Sequence, residues 1–218
     1  MDMMRSEGTT LASRAAIVIK MIAGTRRHLG VVYSDDNTAF SVLHLAWHHV
    51  LLNDPWDNDW MVCGIALHST RLQQLASMCR IVWESNGNEV PYAFSPPAGG
   101  IDSDTGLVVL GPTRYGFTCS SFVIALFDAI SAPIVAISSW PVDRPGDREF
   151  QEFVVSMLKR GATHEHVKNV QSEIGTVRFR PEEVAAAAEH NPHPAHFSMI
   201  ESRSLEIVAD LNKSAVTP

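Results

Sequence analysis

Apolar positions follow two rhythms along this chain, a period of two in the first third and a helical period later, and the change of rhythm organises the reading. Residues 15–22 are apolar and β-branched up to Gly24-Thr25, which predicts a strand followed by a loop. Residues 29–34 and 39–49 are also strand-like. Between them Asp35-Asp36-Asn37 is turn chemistry, with Asn37 able to take the left-handed conformation that closes a three-residue hairpin loop. Pairing Ser34 with Thr38 would set His28 directly opposite His44. The alternation places Val42, His44 and Ala46 on one face and Leu43, Leu45 and Trp47 on the other. Both faces are largely apolar, so the sheet is expected to be covered on both sides.

Residues 53–59 read as a loop and 61–67 as a short strand or the entry to a helix. Residues 71–83 carry Leu72, Leu75, Ala76, Cys79, Val82 and Trp83 on one stripe, an amphipathic helix with Cys79 in the core. The stretch 86–106, with Pro91, Pro96-Pro97 and Gly99-Gly100, reads as a long irregular segment of the kind used for binding loops or lids. A short strand at 107–110 and a turn at Gly111-Pro112 follow. From Phe122 to Phe127 no polar stripe remains, so a helix starting near Cys119 would be enclosed on all sides.

An apolar segment at 133–137 precedes Pro141-Val142-Asp143-Arg144-Pro145-Gly146, the best boundary in the sequence. Beyond it helices are expected at 149–159, stopped by Gly161, at 181–190, opened by Pro181, and at 202–212. The organisation expected is a polar segment 1–14, a domain 15–140, and a helical extension 141–218 packed on or beside it.

Composition narrows the function classes. With 218 residues, 45% hydrophobic and 19% charged, the chain can bury a sizeable core. A net charge of −7 with no basic cluster beyond Arg26-Arg27 argues against nucleic acid as a partner. Cys63, Cys79 and Cys119 are an odd set without metal-type spacing, which suggests a reducing compartment. No run reaches the ~20 apolar residues of a membrane span, and no signal peptide or lipidation motif is recognisable. The expected location is cytoplasmic, or outside the cell by a signal-independent route.

The candidate chemistry centres on Cys119. At a helix N-terminus, unpaired N–H groups and the helix dipole stabilise a thiolate, making the sulfur a nucleophile near neutral pH. A buried free cysteine also commonly serves packing alone. A cysteine nucleophile needs an imidazole to take and return its proton and a polar group to orient that imidazole. His28 suits the first role and His44 the second, with His48 and His49 as other imidazoles and Asp54 or Asp59 as other orienting groups. The backbone N–H of Cys119, with Ser120 or Tyr115, would stabilise the oxyanion. His164 and His166 read as exposed linker residues. The histidines at 190, 193 and 196 are separated by prolines that prevent a common helical face, and Gly99-Gly100 lacks the Gly-Lys-Ser/Thr of a phosphate loop. No metal or cofactor is expected.

Arg27-His28-Leu29-Gly30-Val31-Val32-Tyr33 resembles the His-Val-Gly-Ile-Tyr strand of NlpC/P60-type papain-like cysteine hydrolases. Val42-Leu43-His44-Leu45 resembles their following strand, and Thr118-Cys119-Ser120-Ser121-Phe122-Val123 their Cys-Ser-x-Phe-Val helix start. The order His, His, Cys is similar to the circularly permuted branch that includes lecithin retinol acyltransferase-like enzymes. The resemblance implies an α+β, papain-like fold with a central buried helix on a small antiparallel sheet. It implies hydrolysis of an amide, a cell-wall peptide or related γ-glutamyl-type amide, through a Cys119 thioester with His28 as general base. Without a signal peptide, a cell-wall target would suit a toxin effector exported by a dedicated machine. Two alternatives stay open. One is an acyltransferase, lipid thioesterase or protein deamidase, favoured by a wide apolar cleft near Phe94, Trp47 and Phe117. The other is a non-catalytic domain that binds a protein partner through its C-terminal helices.

Overall fold

The computed structural model describes residues 14–24, 26–34, 39–96 and 100–216. The protein is α+β: the described residues form five antiparallel strands in the order β4-β3-β2-β1-β5, with six α-helices. Strands β1 (Ala15–Ala23) and β2 (Arg26–Tyr33) are joined by a tight connection through Gly24, whose φ of 57° suits glycine. They pair with Ile19 opposite Leu29 and Lys20 opposite His28.

Two expectations about the next strands are corrected. The stretch 39–49 is not one strand: β3 (Ser41–Trp47) turns at His48-His49 into β4 (Val50–Pro55), so Asn53 and Asp54 lie in a strand rather than a loop. His49 closes that turn in the left-handed region at φ 56°. The β2–β3 register is also slid by two residues. Val31 faces Leu43, Val32 faces Val42 and Tyr33 faces Ser41, so Gly30 rather than His28 stands level with His44. A slip of two preserves the faces, which a slip of one would have exchanged. The expected loop at Asp35-Asp36-Asn37 lies outside the described residues. β5 (Met61–Cys63) pairs with the outer side of β1.

The two faces are covered unequally. Odd-numbered residues such as Ile17, Ile19, Leu29, Val31, Leu43 and Leu45 join the main core. Among the described residues, even-numbered Ala16, Val18, Val32 and Val42 form a smaller cluster with Trp60, flanked by Trp56, Phe40 and Val62. Against the main face lie α1 (Ser69–Asn86), which buries Cys79 as its stripe predicts, and α2 (Cys119–Ala129). Every residue of α2 except Asp128 is buried, because apolar side chains surround the whole helix. It packs against β2, β3, α1 and α5.

Much of the described part of 86–106 packs into the core. Val90, Tyr92, Ala93, Phe94 and Ser95 are buried, and Tyr92 bridges Phe117. Gly116, at φ 150°, allows the close pass: a Cβ there would collide with the Pro91 carbonyl. The strand expected at 107–110 reduces to one bridge between Ile101 and Val108, with Leu107, Val109 and Leu110 exposed.

Beyond Pro141 come α3 (Asp147–Leu158), α4 (His164–Ser172), α5 (Pro181–Glu189) and α6 (Phe197–Val216). α4 had no counterpart in the sequence reading. The small side chains of Ala185–Ala188 let α5 approach β1, β2 and β5 closely, and α6 packs on α5. Val154, Leu158, Val184, Ile207 and Leu211 therefore belong to the same core as the sheet. Glu173, just after α4, accepts from the Phe94 N–H (2.8 Å) and the Ser95 hydroxyl (2.5 Å).

Candidate active site

Thr118 caps α2: its hydroxyl accepts from the Ser121 N–H, while the Ser121 hydroxyl accepts from the Thr118 N–H. This reciprocal cap fixes Cys119 in the first turn, 7% exposed. The sulfur receives the backbone N–H groups of Leu29 and Ser120, and the Ser120 hydroxyl lies 4.0 Å away. These donors and the Arg178 charge favour a thiolate, yet burial outweighs them and pushes the Cys119 thiol above its ordinary 9.0. The expectation of a thiolate near neutral pH is therefore corrected. A helix N-terminus lowers a thiol's pKa only where desolvation does not exceed it.

On β2, Leu29 faces α2 and His28 turns to the Trp60 face. There His28 Nε2 and His44 Nδ1 are 2.8 Å apart, and His44 Nε2 lies 3.1 Å from Asp54 Oδ2. Gly30 makes this possible, since a Cβ at that position would approach the His44 Cβ to 3.0 Å. The chain fixes the tautomers. The Asp54 carboxylate can only accept, so His44 Nε2 carries its proton, His44 Nδ1 accepts from His28 Nε2–H, and His28 Nδ1 keeps the basic lone pair. Burial, His44 and Lys20 lower His28 to about 3, and burial lowers His44 against the opposing pull of Asp54. Both imidazoles are therefore neutral at pH 7. Lys20 is held 4.1 Å over the Trp60 ring beside them.

Thiol and imidazole border the same cavity, the thiol from the main-core face and the imidazole from the Trp60 side. Cys119, Ser120, His28, Trp47 and Tyr92 line one cavity of about 370 Å³. His28 and Cys119 share it without a hydrogen bond between them among the described contacts. The far wall comes from the C-terminal part: Phe150, Phe153 and Val154 of α3, and Arg178 to Pro181 leading into α5. Phe94 and Phe117, expected to shape an apolar cleft with Trp47, are instead core residues that do not line the cavity.

Other sequence candidates lie elsewhere. Tyr115 is corrected as an oxyanion donor: its hydroxyl donates to the Pro112 carbonyl (3.1 Å), and it borders a second hollow. His48 and His49 border that hollow too, away from Cys119. His166 is not an exposed linker residue. It sits in α4, stacks on His48 with ring centroids 4.3 Å apart, and donates to the Tyr92 carbonyl (2.9 Å). Burial, His166 and His49 lower His48 to about 4. Asp59 is exposed at a turn, which leaves Asp54 as the carboxylate that orients His44.

The arginines were missed. Arg26, Arg27, Arg178 and Arg180 all line the cavity, and only the Arg26-Arg27 doublet was visible as a basic cluster. The other two approach from positions some 150 residues away in sequence, as the Arg27–Glu182 pair shows with a separation of 155. Among the described residues no helix is long and apolar enough to cross a membrane. No family model, curated protein or solved structure matches the chain.

Proposed function

We propose that the protein is a thiol-dependent hydrolase that cleaves an amide bond through a Cys119 thioester, on a papain-like arrangement of the permuted NlpC/P60 type. The observation that supports this reading most is a capped, donor-surrounded thiol sharing one cavity with the end of an oriented His28–His44–Asp54 chain. His28 Nδ1 takes the thiol proton, directly or through one water, as Sγ bonds to the acyl carbon. The N–H groups of Cys119 and Ser120 receive the oxyanion. As the C–N bond breaks, the leaving amine takes the proton from His28. Water, deprotonated by the same nitrogen, then splits the thioester to a carboxylic acid and restores the thiol.

Because the resting thiol and imidazole are both neutral, this is general-base chemistry rather than a preformed thiolate–imidazolium pair. A cell-wall peptide or another γ-glutamyl-type amide is the substrate class the sequence resemblance suggests. The apolar wall of Phe150, Phe153 and Val154 favours a second reading on the same chemistry, a lipid thioesterase or acyltransferase.

The test is intact-protein mass spectrometry after incubation with peptidoglycan fragments, and separately with p-nitrophenyl octanoate. Acylation of Cys119 that is absent in Cys119→Ser and slowed about 10²–10⁴-fold in His28→Gln is expected. Unchanged fragments alongside a cleaved ester would remove the cell-wall version. No acyl adduct and no turnover with either would sink the hydrolase reading.

A further inference from the structure

The wall facing the Cys119 sulfur is strongly cationic although the chain as a whole carries −7. Among the described residues four arginines line the cavity and no aspartate or glutamate does. Behind that wall the charges do not balance. Asp147, only 3% exposed, is shared by Arg144 (3.0 Å), Arg178 (3.1 Å) and Arg180 (3.0 Å). Glu183 serves Arg144 as well, and Arg27 is held by Glu182 through two bonds of 2.7 Å. Arg26 has no carboxylate partner among the described residues; its guanidinium lies 5.0 Å over the Phe153 ring. Five guanidinium groups thus face three carboxylates, leaving two positive charges in excess.

Two of these arginines are held ready. Arg178 lies 3.6 Å over the Phe150 ring, which fixes its plane and leaves N–H groups beyond the one bonded to Asp147. It is also close enough to Cys119 to act on the sulfur's charge. Arg26 and Phe153 repeat the pairing further along the wall. Cations seated on aromatic rings beside apolar Ile22 and Val154 form a surface for a molecule with an oxyanion at one point and an apolar body around it.

We propose that this cavity binds an amphiphilic anion, with a carboxylate or phosphate held by Arg178 and Arg26 and its apolar part against Phe150, Phe153 and Val154. Resting on the acyl-transfer reading above, this makes the substrate an anionic acyl compound whose oxyanion positions its acyl carbon at Cys119.

Alkylation of the sulfur reads the charge directly. Iodoacetate and iodoacetamide both lose iodide as the S–C bond forms, and both require the thiolate, so the ratio of their rates on the full-length protein is independent of the thiol's ionisation. Relative to N-acetylcysteine at the same pH, Cys119 should favour iodoacetate by about tenfold or more, in line with the field of a one-signed cleft. Arg26→Gln, which removes no ion pair, should lose most of that preference, and salt should weaken it.

Titration calorimetry with 4-phenylbutyrate, 4-phenylbutyl phosphate and the neutral 4-phenylbutanamide gives a second readout that does not need a reactive sulfur. Both anions should bind at least about tenfold more tightly than the amide, and their order separates carboxylate from phosphate. An alkylation ratio like that of N-acetylcysteine, or equal affinity for amide and anions, would overturn the proposal. A persistent iodoacetate preference in a protein that never forms an acyl adduct would leave the anion site standing and remove the hydrolase.

Discussion

Replacing His28 by glutamine should flatten the pH dependence of stability. Folded, His28 is held at about 3 against an ordinary value of 6.5. The unfolded chain therefore binds a proton that the native state refuses over that whole interval. Stability from this group is complete above 6.5 and falls as pH drops towards about 3, the sign for any group whose native state binds fewer protons. Between pH 8 and pH 5 the loss works out to about 2 kcal/mol, from 1.36 kcal/mol per tenfold change in protonation. In urea that corresponds to a midpoint shift of about 1 M at a slope of ~2 kcal/mol per M. Glutamine keeps a donor for His44 Nδ1 without a titrating nitrogen. The measurement is urea unfolding of both proteins at pH 8 and pH 5, comparing the drop rather than the absolute stabilities. His44 is lowered too and leaves some slope in the variant. Equal drops in the two proteins would show that His28 is not a desolvated neutral imidazole, and the tautomer assignment would fall with it.

Alkylation of native Cys119 should accelerate with an inflection above 9.0, while Cys63 and Cys79, pushed up by burial, stay silent until the protein unfolds; peptide mapping after labelling across pH checks this, and an inflection near 7 would contradict it. Asp147→Ala leaves three guanidinium groups without their shared counter-charge and should cost about 3–5 kcal/mol in chemical denaturation, whereas a loss below about 1 kcal/mol would mean the network is solvated. Gly30→Ala forces a Cβ against His44 and the Leu43 carbonyl and should cost about 1–3 kcal/mol along with most of the esterase rate; unchanged turnover would detach the imidazole pair from the chemistry. Asp54→Ala, which frees the His44 tautomer, should lower kcat by about tenfold, less than the loss from His28→Gln.

The enclosed helix behind the sulfur was legible from the unbroken apolar run Phe122 to Phe127, whereas the cap at Thr118, which places Cys119 inside the first turn, was not read. The His28–His44 contact was legible only as a shared face. Its register was not, since the observed pair is Tyr33 with Ser41 rather than Ser34 with Thr38, and Gly30 beside His44 was not read as the reason the rings meet. The β3–β4 turn was missed because it uses His48-His49, neither glycine nor asparagine, in a left-handed bend. α4 was missed for a related reason: Val167 and Val170 are its only buried residues, too few for a visible stripe. Desolvation of the thiol, which reverses the effect expected of a helix end, depends on packing from residues far along the chain and leaves no mark near Cys119. The arginine wall is likewise a product of tertiary assembly.

That wall makes the protein indivisible in practice. A shortened chain ending near the proline-rich break at 141 would lose Phe150, Arg178 and the alanine face of α5 together, stripping one side from the cavity and uncovering the strands on which α5 packs. Searches for a minimal functional fragment should therefore trim from α6 inwards and stop before α5. The stretch from Pro145 to Pro181 supplies as much of the pocket as the strand and helix that carry His28 and Cys119.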